Sequence, residues 1–154
     1  MNTAEHTRAR RTMIQADHRR LEQLVGTLLQ LLRDRPDALR FDSRLAQLSK
    51  ELSNLRQHLC GHFQREESGG LLEEVAANVP RLAPEVDVIE REHPALLAEL
   101  DQLIAQVAVE KDTTARWDSY RNGFRSFAKT LCQHEARENR LLQEGLNDDL
   151  ELDA

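Results

Sequence analysis

Four long apolar stripes constrain the fold of this chain more than any other feature of its sequence. In each stripe, large apolar side chains recur at intervals of three and four residues, which places them on one face of an α-helix. Helices with such seams, joined by short connections, form an antiparallel up-down four-helix bundle. No stretch reads as a β-strand, so we predict an all-α protein.

The stripes also predict where the helices begin and end. They run from Ile14 to Leu32, Leu45 to Glu66, Val86 to Val107 and Trp117 to Leu141. Thr12 and Gln15 have the spacing of a capping box for the first helix. Asp42 or Ser43 is the expected cap of the second helix, and Pro84 opens the third. Turns are expected at "RDRPDALRF" and near Asp112. We predict an N-terminal arm at 1–11, the bundle at 12–146 and an acidic tail at 147–154.

The segment between the second and third stripes is predicted to form a short extra helix. Gly69 and Gly70 are suited to end the second helix, because glycine is the usual residue at a helix C-terminus. The sequence "LLEEVAANVPRLAP" then forms the extra helix and a turn, placed as a lid over one end of the bundle. Pro94, inside the third helix, is expected to kink it.

Six polar side chains interrupt the seams. Burying one unpaired polar or charged group costs several kcal/mol, and a small domain has a net stability of only about 5–15 kcal/mol. These six therefore need a shared partner, and a metal ion is one, since imidazole and carboxylate both suit first-row metals. The candidate ligands are His18, His62, Glu66, His93, His134 and Glu138.

A repeated phrase suggests that the candidate ligands lie on one layer. "LCGHFQRE" and "LCQHEARE" both fit Leu-Cys-x-His-x-x-Arg-Glu, and in each the histidine and the final glutamate are four residues apart on one helix face. The lone histidines of the first and third helices lie at matching distances from the two turns. We therefore predict a pseudo-twofold site in which two glutamates bridge two metals and each metal has its own pair of histidines.

At these residues the chain resembles the hemerythrin-like, or HHE cation-binding, domain. The resemblance covers roughly residues 12–146 and rests on "ADHRRL", "HFQREE", "EREHPALL" and "HEARENRLL". It implies an up-down four-helix bundle around two iron ions, a non-haem di-iron centre with an oxo or hydroxo bridge. It also implies that Glu66 and Glu138 bridge the irons while the four histidines are terminal ligands.

One seam position departs from the oxygen-carrying hemerythrins. Those proteins have a second histidine one turn before the third-helix histidine, and here that position is Ile89. The remaining set of four histidines and two glutamates is closer to the repair-of-iron-centres proteins of the same superfamily. Ferritin-like di-iron bundles differ more, because they need two Glu-x-x-His motifs and two further glutamates.

Several neighbouring residues are weaker candidates. His58 lies beside the seam, where a supporting or partly exposed role is preferred to ligation. Glu90 is placed to replace the missing histidine, although a solvated side chain is the preferred interpretation. Glu67 and Glu135 are expected to point elsewhere on their helices. Cys60 and Cys132 are expected to face away from the metals, with a redox or interchain role left open.

Composition excludes other classes of protein. The net charge of −6 argues against a nucleic-acid surface, no apolar run reaches membrane length, and two cysteines are too few for a disulfide scaffold. A cytoplasmic protein is expected. Two functions remain open: binding or reaction of O2, nitric oxide or peroxide at di-iron, and iron storage, sensing or donation for cluster repair. A structural zinc or manganese site is a third, weaker alternative.

Overall fold

The computed structural model describes residues 2–109 and 116–151, and it contains five packed α-helices. A single 3-10 turn, Pro80–Leu82, lies between the third and fourth helices. The described residues contain no strand, which confirms the all-α prediction. The predicted turn near Asp112 and residues 152–154 of the predicted tail lie outside this part of the chain. The helices are α1 (Thr3–Arg33), α2 (Phe41–Gly69), α3 (Leu71–Asn78), α4 (Ala83–Val109) and α5 (Arg116–Glu151).

The first helix begins well before the predicted position. Asn2 is its N-cap: the Asn2 side chain accepts from the Glu5 backbone N–H at 2.8 Å, and the Glu5 carboxylate accepts from the Asn2 N–H at 3.1 Å. Thr12 and Gln15 lie inside α1, so the predicted start at Thr12 is wrong. The sequence offers an earlier capping box at Asn2 and Glu5. No glycine or proline lies between it and Thr12 to interrupt the helix.

The second helix also starts slightly earlier than predicted. It begins at Phe41, with Arg40 as the N-cap, so Asp42 and Ser43 lie in its first turn and do not cap it. Its C-terminus agrees with the prediction, because Gly70 adopts the left-handed conformation (φ +67°) and its N–H bonds the Glu66 carbonyl at 3.3 Å.

The predicted extra helix is present as α3, and the early part of α1 holds it in place. The buried Thr7 hydroxyl donates to Glu74 of α3 at 3.0 Å, and Arg10 pairs with the same carboxylate at 2.6 Å. On its other side α3 packs closely on α5, since a Cβ added at Gly145 would lie 2.8 Å from the Val75 Cβ. Thr7 and Arg10, which belong to the predicted N-terminal arm at 1–11, therefore contribute to the packing of α3.

Two apolar clusters form the core, and the candidate ligands lie between them. The long helices contact one another in the cyclic order α1, α2, α4, α5. The larger cluster fills their interior and includes Leu21, Leu59 and Leu131, whereas the smaller one joins α3 to residues such as Ile14 and Leu141. Helix α4 runs unbroken through Pro94. None of the described helices is long and apolar enough to cross a membrane.

Candidate metal centre

The six predicted ligands meet in one buried layer. Each has at most 5% of its surface exposed. Their ligand atoms form two overlapping groups, each with all atoms within 4.8 Å of one another. Glu138 belongs to both groups. The first group is His18, His62, Glu66 and Glu138, and the second is His93, His134 and Glu138.

Each glutamate places one carboxylate oxygen near a histidine of the first group and the other oxygen near a histidine of the second group. Glu66 Oε1 lies directly against His62 Nε2, and Glu66 Oε2 lies 3.7 Å from His93 Nε2. Glu138 Oε1 lies 3.4 Å from His18 Nε2, and its Oε2 lies 3.5 Å from His134 Nε2. Both carboxylates therefore span the space between a first histidine pair, His18 with His62, and a second pair, His93 with His134.

Most of the atoms that face this space have no hydrogen-bond partner. Among the described residues, the buried and unpartnered side-chain atoms include both carboxylate oxygens of Glu66 and of Glu138. The Nε2 atoms of His18, His93 and His134 are also unpartnered. Such groups are strongly unfavourable unless something binds them. Imidazole nitrogens and carboxylate oxygens are the donors that first-row divalent metals take, so the donor set fits such cations.

The electrostatics of the layer also favour a cation. Burial and the nearby Glu138 carboxylate together raise the pKa of Glu66 to about 10. Burial also acts to raise the pKa of Glu138, but the facing His134 and His18 imidazoles outweigh it and hold that pKa below its usual value. Without a cation, the two carboxylates therefore keep one proton between them at neutral pH, and a bound cation would displace it.

Two carboxylate–arginine pairs hold the histidines of the repeated phrase. His62 Nδ1 donates to Asp17 at 3.0 Å, and Arg65 donates to both oxygens of the same carboxylate, at 2.9 and 3.0 Å. In the other half, His134 Nδ1 donates to Glu92 at 2.9 Å, and Arg137 donates to both oxygens of Glu92. A carboxylate that accepts from Nδ1 fixes the ring so that Nε2 points into the ligand layer.

The helical spacing did not predict that Asp17 and Glu92 would bond the histidines, although the sequence carries a signal for both. An acidic residue directly precedes each lone histidine, in "DH" at 17–18 and "EH" at 92–93. An arginine stands at the same place in both copies of the repeated phrase. The arginine of each phrase bonds the acid that precedes the lone histidine of its own half.

The expectation that Glu67 and Glu135 point elsewhere is wrong for Glu67, which bonds a candidate ligand, and Glu135 is buried close to the layer. Glu67 accepts from His93 Nδ1 at 3.0 Å. Glu135 is 8% exposed, and its Oε1 is buried without a hydrogen-bond partner. Burial raises the pKa of Glu135 to about 6, against the opposing effect of His18 and His62. Glu67 thus bonds a histidine of the adjacent helix, and Glu135 lies near enough to His18 and His62 for their charges to interact. Spacing along one helix does not reveal either relation.

The weaker candidates lie outside the two ligand groups. His58 is half-buried and lines a surface groove on α2 with Cys60 and Arg65. Glu90 is half-buried, and burial raises its pKa with help from acidic neighbours. Cys60 is half-buried and Cys132 is exposed, and both are free thiols.

Ile89 lies at the edge of the layer, one turn before His93. It is 1% exposed and belongs to the smaller apolar cluster. Its outer side lines a small cavity between α4 and α5, together with Val88 and Leu141. The position is therefore buried and apolar, and it offers no donor atom to a cation.

Comparison with known proteins assigns the family. Residues 10–145 match the hemerythrin HHE cation binding domain. No curated protein and no solved structure matches the chain significantly. The match covers most of the chain and includes all six residues of the buried layer. The chain belongs to the hemerythrin HHE cation-binding domain family.

Proposed function

We propose that this domain holds two iron ions and binds or reacts with small oxidants such as O2, nitric oxide or peroxide. One iron would take the first histidine pair and the other the second, with Glu66 and Glu138 bridging both. The observation that carries the proposal is the placement of the four carboxylate oxygens, one of each glutamate toward each pair. A single cation at the centre of the layer would not require each glutamate to place one oxygen near each histidine pair.

We further propose that the four long helices form the antiparallel up-down bundle expected from the sequence. Contacts between helices support it, because residue numbers run in opposite directions along each contacting pair. On α1 and α5, His18 lies near Glu138, whereas the Leu32 carbonyl accepts from the Trp117 indole at 3.2 Å. On α4 and α5, Arg140 pairs with Glu85 and Arg137 with Glu92.

The chemistry assigned to the protein residues is coordination, orientation and exclusion of water. Bound iron would supply redox chemistry and coordination positions for a small ligand. Glu92, Asp17 and Glu67 orient three of the rings, and the two apolar clusters limit the access of bulk water. Ile89 supplies no donor where oxygen carriers have a histidine. A reactive or iron-labile centre is therefore favoured over a reversible O2 carrier.

Iron storage, sensing or donation is the second candidate function, and one observation favours it. No described side chain accepts a hydrogen bond from His18 Nδ1, and the His18 ring lines a surface groove. A ligand without an outer carboxylate holds its metal less firmly. The proposed set of four histidines and two glutamates also resembles that of the repair-of-iron-centres proteins, which suits a labile site.

Metal analysis together with an optical spectrum tests the primary proposal. Protein loaded anaerobically with iron(II) should bind two irons per chain, and its spectrum should change on addition of O2, nitric oxide or peroxide. Glu66→Ala and Glu138→Ala should each lose most of the bound iron, because each residue is proposed to contact both ions. His58→Ala is the matched control and should keep its iron, because His58 lies outside both ligand groups.

Two results would contradict the proposal. Full iron occupancy in both glutamate variants would remove the bridging assignment. One tightly bound zinc per chain, with no iron and no spectral response, would favour the structural-site alternative.

A further inference from the structure

The two halves of the ligand layer are related by the repeated phrase, and two of the equivalent positions at which the copies differ lie next to candidate ligands. The residue after the phrase histidine is Phe63 in one copy and Glu135 in the other. The residue after the phrase glutamate is Glu67 in one copy and Asn139 in the other. Both differences bear on the lone histidines, which are His93 and His18.

His93 is held on two sides. Phe63 stacks on its ring, with ring centroids 4.0 Å apart and planes 10° from parallel. Glu67 accepts from its Nδ1 at 3.0 Å. These contacts fix the orientation of the His93 ring and cover one of its faces with an apolar ring.

His18 lacks both contacts. Asn139, at the position equivalent to Glu67, lines the same surface groove as His18 without bonding its ring. Glu135, at the position equivalent to Phe63, places a carboxylate where the other half has an apolar ring. Its Oε1 is buried without a partner, and its charge interacts with those of His18 and His62.

Two carboxylates, Glu22 and Glu135, lie on the α1–α5 face beside this side of the layer. Glu22 is exposed on α1 and lines two adjoining grooves between α1 and α5, one containing His18 and the other Glu135. Glu22 and Glu135 are near enough for their charges to interact. Basic side chains also line these grooves, Arg11 and Arg19 in one and Arg125 and Lys129 in the other. Exposed Glu22 and buried Glu135 are the carboxylates that line them, so these are the anionic groups that a cation entering from this face would meet.

We propose that the two metal positions are unequal and that the one between His18 and His62 exchanges across the α1–α5 face, with Glu135 as its transit ligand. The proposal rests on the two-metal site described above. In this proposal Glu135 coordinates the cation briefly while the cation enters or leaves. Glu135 is not a ligand once the site is loaded. The position between His93 and His134 keeps its metal longer.

Cobalt(II) is a suitable probe, because its visible absorption reports the ligands and it does not react with air as fast as iron(II). Metal-free protein is loaded with cobalt(II), its spectrum and stoichiometry are recorded, and release is followed after addition of excess chelator. The unmodified protein should bind two ions and release them in two phases, one fast and one slow.

Three variants assign the phases. Glu135→Gln should slow loading and the fast release phase by about tenfold, with the stoichiometry and final spectrum unchanged. Asn139→Glu supplies His18 with the missing outer carboxylate and should slow the fast phase by about 10–100-fold. Glu67→Asn removes the corresponding carboxylate from His93 and should accelerate the slow phase alone by a similar factor. Thermal unfolding of each metal-free variant confirms that it is folded.

The outcomes separate this inference from the proposed function. If Glu135→Gln binds two ions and leaves every rate unchanged, the transit role is wrong. If Glu135→Gln loses an ion or changes the final spectrum, Glu135 is a permanent ligand and the transit role is also wrong. If Asn139→Glu slows the phase that Glu67→Asn accelerates, the assignment of the exchangeable position is wrong. If the unmodified protein binds no second ion, the two-metal proposal itself fails.

Discussion

Asp17→Asn tests whether an outer carboxylate controls one metal position and not the other. Asp17 accepts from His62 Nδ1 at 3.0 Å and from two nitrogens of Arg65. Partial burial acts to raise the pKa of Asp17, but hydrogen bonds from Arg65 and His62 outweigh it and keep the pKa below its ordinary value. Asp17 is therefore an anion at neutral pH, and asparagine at this position removes the charge while nearly preserving the shape.

The expected loss follows from this geometry. Removing a carboxylate from the outer nitrogen of a ligand histidine lowers metal affinity by about 10–100-fold, which is about 1.4–2.8 kcal/mol. Asp17 bonds His62 and neither histidine of the second pair, so the binding of only one of the two proposed ions should be weakened. Glu92→Gln should weaken the other ion by a similar factor, because Glu92 bonds His134.

Competition between the protein and a chelator of known affinity measures the two binding constants. Asp101→Asn is the control, since Asp101 pairs with Arg56 at the surface and contacts no histidine of the layer. The reasoning is refuted if Asp17→Asn and Asp101→Asn bind both ions equally well, or if Asp17→Asn and Glu92→Gln weaken the same ion.

Three further predictions follow from packing and charge. Ile89→His should slow iron loss to a chelator by roughly tenfold and shift the protein towards stable O2 binding, as seen by stopped-flow spectroscopy; unchanged behaviour would rule out an open position there. Gly145→Ala should destabilise the protein by about 1–3 kcal/mol in urea unfolding, because its Cβ meets Val75, whereas Gly26→Ala, with open space around it, should stabilise by up to about 1 kcal/mol. The pKa of Glu66 is raised from 4.5 to about 10 in the fold, so its contribution to the stability of the metal-free protein is complete below pH 4.5 and declines as pH rises towards 10. Calorimetry at neutral pH should accordingly detect a proton released on metal binding, and a proton count of zero would contradict this pKa.

The candidate ligands could be predicted from sequence because each occupies a position where periodicity demands an apolar residue. A histidine such as His93 between Ile89 and Leu96 is conspicuous on a helix seam. The level of the layer followed from the rise per residue and the positions of the turns. Both arguments use only spacing along single helices.

The outer carboxylates could not be predicted in this way. Asp17, Glu67 and Glu92 lie beside the seams, where acidic residues are ordinarily solvated. Their partners are 26 to 45 residues away in the chain, so the bonds depend on how neighbouring helices are rotated. The start of α1 was missed for a similar reason, since Thr7 and Arg10 extend the helix through contacts with α3.

The position of the ligand layer between two apolar clusters has a consequence for how the protein unfolds. A buried polar layer without bound cations contributes little to the stability of the contact between the two apolar clusters. Bound cations would therefore provide most of the coupling between the clusters. With cations bound, the chain should unfold as one cooperative unit. Without them, amides of α3 should exchange with solvent hydrogen well before those around Leu48 and Leu55, which lie in the larger cluster. Cation binding would then slow hydrogen exchange in α3, although α3 supplies none of the candidate ligands.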